Sequence, residues 1–301
     1  MSNKERVIAL GFFDGVHLGH AALLRRTAEE AAARGVTPAV FTFDRPPKEV
    51  VTGIPCPRIN SPEDRRSLIH RLYGIRDVIM VPFDEEIMTT AWDAFIMDIL
   101  VNRYHAVHLV AGHDHHFGHK NQGSPELLAQ KCAELGLGCD IIPKVEVGGI
   151  TVSSTYIRRL VELGQMERAT HYLGHPHTLT QVVQHGRHIG RTIGIPTVNQ
   201  TIPPHVLVPS YGVYAAKVYL PDGSMYAAVT NVGTRPTVNN GMDVTVESWL
   251  LDFEGDLYGK TLRVEFCKRL RDEVRFDSLD ALKEQINLDA TAARALFATN
   301  V

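Results

Sequence analysis

The stretch VIALGFFDGVHLGH, Val7 to His20, decides how the first half of the chain is read. Val7 to Leu10 form an apolar run short enough for a buried strand, and Gly11 and Gly15 break it. Helical text then runs from His17 to Gly35, HLGHAALLRRTAEEAAARG, and stops on glycine. A strand that ends on glycine and turns at once into a helix lets a phosphate approach main-chain N–H groups at the positive end of the helix. His17 and His20 stand at that entry, three residues apart, and can face one pocket. Their N–H donors suit the charge that develops on a triphosphate as pyrophosphate leaves. No Gly-Lys-Ser/Thr follows, so this is not a Walker-type loop. The plain alternative is a glycine turn carrying two surface histidines.

The rest of the first half repeats the alternation. TPAVFTF, DVIMVPF, AVHLVAG and CDIIPKVEV read as strands. SPEDRRSLIHRLYG, AWDAFIMDILVNRY and SPELLAQKCAELG read as helices, two of them opening on Ser-Pro-Glu. Alternating strands and helices predict a parallel sheet covered on both faces, with ligands beyond the carboxyl ends of its strands. STYIRRLVELG and QMERATHYLG are two further short helices. Ser154, Thr155 and Arg158 begin the first of them, a set that makes an anion clamp or an ordinary cap with a solvated arginine.

After His175 the text changes to strands joined by turns, with Asp222-Gly223 at the centre of a hairpin, and it closes on one amphipathic helix, SLDALKEQINLDATAARALFA. This predicts a small antiparallel barrel with a C-terminal helix. The expected domains are 1–175 and 176–301. HGRHIGRTIGIPTVN, within the barrel half, spaces Gly186, Gly190 and Gly194 before Pro196, Thr197 and Asn199. Such glycines let a loop fold over phosphates, and a hydroxyl beside an amide oxygen suits Mg²⁺. A glycine-rich turn with no ligand is the alternative.

Composition bounds the function. The chain has 301 residues, 44% hydrophobic and 22% charged, with a formal net charge of −3. That charge gives no general pull toward nucleic acid. No apolar run reaches the roughly 18 residues of a membrane helix, so no membrane partner is expected and the reading is cytoplasmic. Cys56, Cys132, Cys139 and Cys267 are scattered and read as reduced structural thiols.

GFFDGVHLGH is similar to the H-x-G-H signature of the nucleotidyltransferases. VFTFDRPP, AGHDHHFG, VSSTYIRRLVELGQMERATHYLG, GRTIGIPTVN, YGVYAAKV, NVGTRPT, VESWLLDFEGDLYGK and LRDEVRFDSLDALKEQI follow in order. Together they resemble the bacterial bifunctional riboflavin kinase/FMN adenylyltransferase family over almost the whole chain. The resemblance implies a Rossmann-like nucleotidyltransferase domain, then a riboflavin kinase barrel. It implies phosphorylation of riboflavin by ATP to FMN, then adenylylation of FMN to FAD, both with Mg²⁺. Riboflavin, FMN, FAD and ATP are the partners it names.

By the same resemblance His17 and His20 are catalytic in adenylyl transfer. Gly11, Phe13, Asp14, Gly15, Asp114, Ser154, Thr155 and Arg158 bind its ATP. In the kinase, Gly186, Gly190, Arg191, Gly194, Pro196, Thr197 and Asn199 take ATP and metal, with Thr197 and Asn199 as metal ligands. Glu247 is the catalytic base, and Arg271 lies on the flavin-side loop. The chain departs from the family at His115 and His116, where Phe-Arg is usual, and at DRPP, which lacks a histidine before its second proline. Thr180 stands where glycine is usual at the start of the barrel. These departures leave open a riboflavin kinase with an impaired adenylyltransferase site; a non-catalytic flavin- or nucleotide-binding regulator is a further alternative, against which the retained His17, His20, Thr197, Asn199 and Glu247 argue.

Overall fold

The computed structural model describes residues 4–185, 194–236 and 242–298. The chain divides into two compact units, Met1–Arg58 with Arg65–Ser154, and Ile59–Asp64 with Thr155–Val301. The division falls after Ser154, ahead of the expected boundary at 175.

In the first unit the strands are β1 (Arg6–Leu10), β2 (Thr37–Phe43), β3 (Asp77–Val81), β4 (Ala106–Gly112) and β5 (Gly138–Ile142). They form a parallel sheet in the order β3-β2-β1-β4-β5. A short hairpin, β6 (Glu146–Val147) and β7 (Ile150–Thr151), follows. Among the described residues the α-helices are α1 (Leu18–Arg34), α2 (Pro47–Thr52), α3 (Pro62–Tyr73), α4 (Glu85–Thr89), α5 (Trp92–Ala94), α6 (Pro125–Glu134), α7 (Ser154–Glu162), α8 (Met166–Leu173) and α9 (Leu279–Ala298).

The alternating faces of β1 explain the layers. Val7 and Ala9 pack with Leu24 and Ala31 of α1 and Leu68 of α3. Ile8 and Leu10 share the other buried cluster with Phe95, Ile99 and the α6 residues Leu128 and Cys132. Because β1 is buried on both faces, its run is apolar throughout. The helix expected over 91–104 is α-helical only at Trp92–Ala94 and then widens into a π-helix over Phe95–Arg103. Its buried residues are Phe95, Ile96, Ile99 and Leu100, and a wider turn keeps that four-residue repeat on one stripe. The chain runs β1 to β3 outward on one side and returns with β4 on the other. The carboxyl ends of β1 and β4 therefore form the crevice at which open sheets bind ligands.

In the second unit β8 (His177–Val182), β9 (Val198–Thr201), β10 (Gly212–Tyr219), β11 (Met225–Pro236), β12 (Met242–Leu250) and β13 (Thr261–Arg271) are antiparallel in the order β8-β13-β10-β11-β12-β9. The two edges meet where the Gln184 N–H donates to the Asn199 carbonyl at 2.8 Å. Gln200, wholly buried, spans the same seam: its Nε2 donates to the carbonyls of Gln181 at 2.6 Å and Leu262 at 2.9 Å. The barrel is nearly closed, which leaves little edge to pair with other chains. On the outer face Val213, Ala215 and Val229 pack against Ala290 and Ala293 of α9. The backbone N–H of Thr180, in β8, donates to Asp64 Oδ2 at 3.1 Å.

His177, at the start of β8, stacks on Phe266 with ring centroids 5.7 Å apart. Burial, with His175 beside it, pushes its imidazole down to about 4. The unfolded chain binds that proton near pH 6.5, so the stability is present above that pH and is lost as pH falls toward 4. The loss between pH 7 and pH 5 should be about 2 kcal/mol for this group. Urea unfolding of the second unit at the two pH values checks it, and His177→Phe should lack that share. An undiminished pH dependence in the variant would assign the loss to other groups.

Candidate active sites

The corner after β1 is held in a conformation that non-glycine residues rarely adopt. Phe13 has φ 57° and Val16 φ 44°, both left-handed. Each costs on the order of 1 kcal/mol or more and persists only where its surroundings enforce it. The surroundings here are specific. The Val16 N–H donates to the Phe13 carbonyl at 3.1 Å, and the Thr42 hydroxyl donates to the Phe12 carbonyl at 3.0 Å. The corner delivers His17 to the N-cap of α1, where its Nδ1 accepts the His20 N–H at 3.3 Å. In the neutral ring this puts the His17 proton on Nε2. Gly19 is the residue that permits it: a Cβ there would lie 3.0 Å from His17 Cε1.

His17 and His20 are stacked, ring centroids 3.6 Å apart and 13° from parallel, and Phe13 meets His20 edge-on at 5.1 Å. Burial, then the neighbouring His17 and Arg65, hold the His20 imidazole well below its ordinary value. It is neutral at pH 7, and its Nδ1 has no hydrogen-bond partner among the described residues. Both histidines line a cavity of about 650 Å³ at the carboxyl ends of the strands. Gly11, Ser153 and Ser154 line the same side, and Phe43, Phe83, Ile87, Met88 and Phe117 supply an apolar side. The Ser154 hydroxyl donates to the Asp14 carbonyl at 3.0 Å, which ties the start of α7 to the corner. Asp14, Gly15 and Phe13 are buried in the corner itself. Thr155 and Arg158 lie beyond the division of the chain, one residue and one turn further along α7.

The histidine-rich loop does not gather its imidazoles. His113 and His116 are exposed, and His116 Nδ1 pairs with the Asp114 carbonyl at 3.0 Å. His115 lies over Phe117 with centroids 5.5 Å apart, and burial pushes it down to about 4. Among the described residues no three His, Cys, Asp or Glu side chains are arranged around a metal position. Asp114 is exposed at the cavity rim, 3.9 Å from His113 Nδ1.

The second cavity, about 300 Å³, lies on the outer face of the barrel beside α9. Strand register builds it. Glu247 on β12 stands opposite Asn199 on β9 and Asn231 on β11. Directly opposed residues share a face, so one carboxylate and two carboxamides lie side by side. Thr197, Asn231, Glu247 and Trp249 line the cavity. Asn199 is 9% exposed, and its Oδ1 has no hydrogen-bond partner among the described residues. Gly194 has φ 75° and Pro196 is exposed. Gly186, Gly190 and Arg191 lie outside the described residues.

Arg271 lines this cavity at the end of β13, and Asp289 of α9 holds it in a fork, with Nη2 to Oδ2 at 2.8 Å and Nε to both oxygens at 3.1 Å. Asn231 Nδ2 donates to Glu273 Oε1 at 3.0 Å. Gly233 makes room for that carboxylate, since a Cβ there would meet Glu273 Oε1 at 2.1 Å. Asn231, Glu273 and Asp289 are site residues that the sequence reading missed. Only Asp289 carried a signal, an acid inside the apolar stretch of the last helix.

Comparison with known proteins agrees with this geometry. A family model described as FAD synthetase matches residues 1–156, and one described as riboflavin kinase matches residues 173–297. The chain is similar to the bifunctional riboflavin kinase/FMN adenylyltransferase of Haemophilus influenzae, 35% identical over 99% of this chain and 97% of its counterpart. It is 36% identical to the protein of the same description from Escherichia coli K12, over 97% and 92%. A crystal structure from Streptococcus pneumoniae, described as a macrolide-efflux protein, superposes with a TM-score of 0.84 at 29% identity, covering 98% of this chain and 95% of that one. Both halves match their families, which favours two activities over a single-activity kinase or a non-catalytic binder. The chain therefore belongs to the bifunctional riboflavin kinase/FMN adenylyltransferase family and is an enzyme of both reactions.

Proposed function

We propose that FMN adenylylation runs in the cavity of the first unit and riboflavin phosphorylation in the cavity of the second. One observation carries this: the residues with the needed chemistry are sorted, His17, His20 and Ser154 into one cavity and Thr197, Asn231 and Glu247 into the other. In the first, a phosphate oxygen of FMN attacks the α-phosphorus of ATP, and the bond to the β-phosphate breaks to release pyrophosphate. The substrate brings its own nucleophile, so the protein supplies donors rather than a covalent group. His17 Nε2–H, the neutral His20 and the N-terminal end of α1 fit that task. The resemblance assigns Asp114, which lines the same cavity, to that ATP.

In the second, the riboflavin 5′-hydroxyl attacks the γ-phosphorus of ATP, ADP leaves, and Glu247 takes the hydroxyl proton. The Thr197 hydroxyl, which lines the cavity, and the buried Asn199 amide oxygen, without a partner among the described residues, are hard neutral donors that fit Mg²⁺. When bound, the ion screens the phosphate charge. No helix among the described residues is long and apolar enough to cross a membrane, and cytoplasmic residence is part of the proposal.

The test separates the two reactions. The protein with riboflavin, ATP and Mg²⁺ should form FMN and then FAD, resolved by chromatography. Asn199→Ala should lose kinase activity while FMN adenylylation persists. Unchanged kinase kinetics at limiting Mg²⁺ would rule out the metal role of Asn199.

A further inference from the structure

We infer that Arg65 is a positioning residue for adenylyl transfer: it fixes the peptide between Phe12 and Phe13, and through it the corner that presents His17 and His20 to the cavity. The inference rests on placing FMN adenylylation in that cavity.

Arg65 sits in the charged opening of α3, between Asp64 and Arg66, where an exposed side chain is the common case. It is instead 2% exposed and heads the order of fully buried side chains by volume. Its Nη1 donates to the Phe12 carbonyl at 2.6 Å and its Nη2 to the Phe43 carbonyl at 2.5 Å. The guanidinium lies 4.4 Å over the Phe12 ring. The placement of those carbonyls is informative. β1 ends at Leu10 and β2 at Phe43, and the Gly11 N–H still reaches the Phe41 carbonyl at 3.3 Å. Beyond Gly11 the Arg65 fork joins the two chain segments in place of the ladder.

The Phe12 carbonyl receives a second donor from the Thr42 hydroxyl at 3.0 Å. Rotating this peptide would strand a buried carbonyl and two donors, at a cost of about 1–3 kcal/mol for each group left unpaired. The left-handed Phe13 follows immediately. The fixed peptide therefore sets the strained corner, and the corner sets the stacked pair His17 and His20. Burial pulls the guanidinium down to about 10, so it remains charged at neutral pH, with the Asp14 carboxylate favouring the charge. Such a buried ion is costly as mere filling, and an apolar chain of equal length would fill the space at less cost. A planar fork with two separated donors meets two carbonyls in a way that a single ammonium does only in part.

The experiment uses the full chain with Arg65→Met and Arg65→Lys. Arg65→Met should lower kcat for FAD formation from FMN about 10- to 100-fold, the size expected when catalytic groups are misplaced rather than removed. KM for ATP and FMN should stay within about threefold, and riboflavin phosphorylation should be unchanged. Arg65→Lys should restore part of kcat. Imidazole resonances of His17 and His20, assigned through single-histidine variants, should move in Arg65→Met and return toward their places in Arg65→Lys. An unchanged kcat, or a parallel loss of both activities, would overturn the inference. So would a kcat that falls while the imidazole resonances stay where they are. Wild-type protein that makes FMN but no FAD would instead refute the site assignment, and the resonances would still decide whether Arg65 holds the two rings.

Discussion

Glu247→Gln should reduce the chemical step of riboflavin phosphorylation by about 10²- to 10⁴-fold while riboflavin and ATP still bind. The substitution keeps shape and most hydrogen bonding but removes the ability to take a proton. Pattern alone leaves the face of Glu247 undecided, because Val246 and Ser248 alternate with it. In the structure Val246 and Ser248 are wholly buried, and Glu247 lines the cavity with Asn231 and Trp249. A loose phosphoryl-transfer transition state needs less help from a base, so the effect should lie toward the lower end. FMN adenylylation should not change, since its nucleophile is a phosphate already ionised at neutral pH. Single-turnover phosphorylation, with binding measured separately, decides the matter. An unaffected chemical step means another group takes the proton. A collapse of binding makes Glu247 a positioning residue.

His20→Ala should lower FAD formation from FMN by about two orders of magnitude or more, the usual size for a lost transition-state donor. Riboflavin phosphorylation should survive. The ring is held by its stack on His17 and its edge contact with Phe13, so little mobility is lost when ATP arrives. Its depressed proton affinity makes it a neutral donor, and the charge of bound phosphates would work in the opposite direction. The measurement is FAD formation from FMN and ATP beside FMN formation from riboflavin. Equal loss in both would show that His20 supports the fold instead.

Much of this architecture is local and therefore readable. The strand ending at Gly11, the Gly35 stop, the Ser124 cap on α6 and the Asp222-Gly223 turn each follow from a few adjacent residues. What escaped reading depends on partners far along the chain. β9 is four residues long and hidden behind Pro196, and only its pairing with β12 makes it a strand. Asn231 belongs to the site because register sets it against Glu247, and register is not written in either strand alone. Arg65 stands in a charged run and is buried all the same, because burial is decided by tertiary packing. The text changes at His175, whereas the compact units divide after Ser154, and α8 packs on β8 and β13.

The wall of the second cavity that includes Leu282, Ile286 and Asp289 comes from α9, the last element of the chain. Part of the wall of the proposed kinase site is therefore encoded after the last barrel strand, β13. A stop codon between Arg271 and Leu279 leaves strands β8 to β13 encoded and still strips that wall, together with the carboxylate that anchors Arg271. The first unit is translated before the lesion is met. A lesion in that interval should accordingly impair the proposed kinase site and spare the proposed adenylylation site.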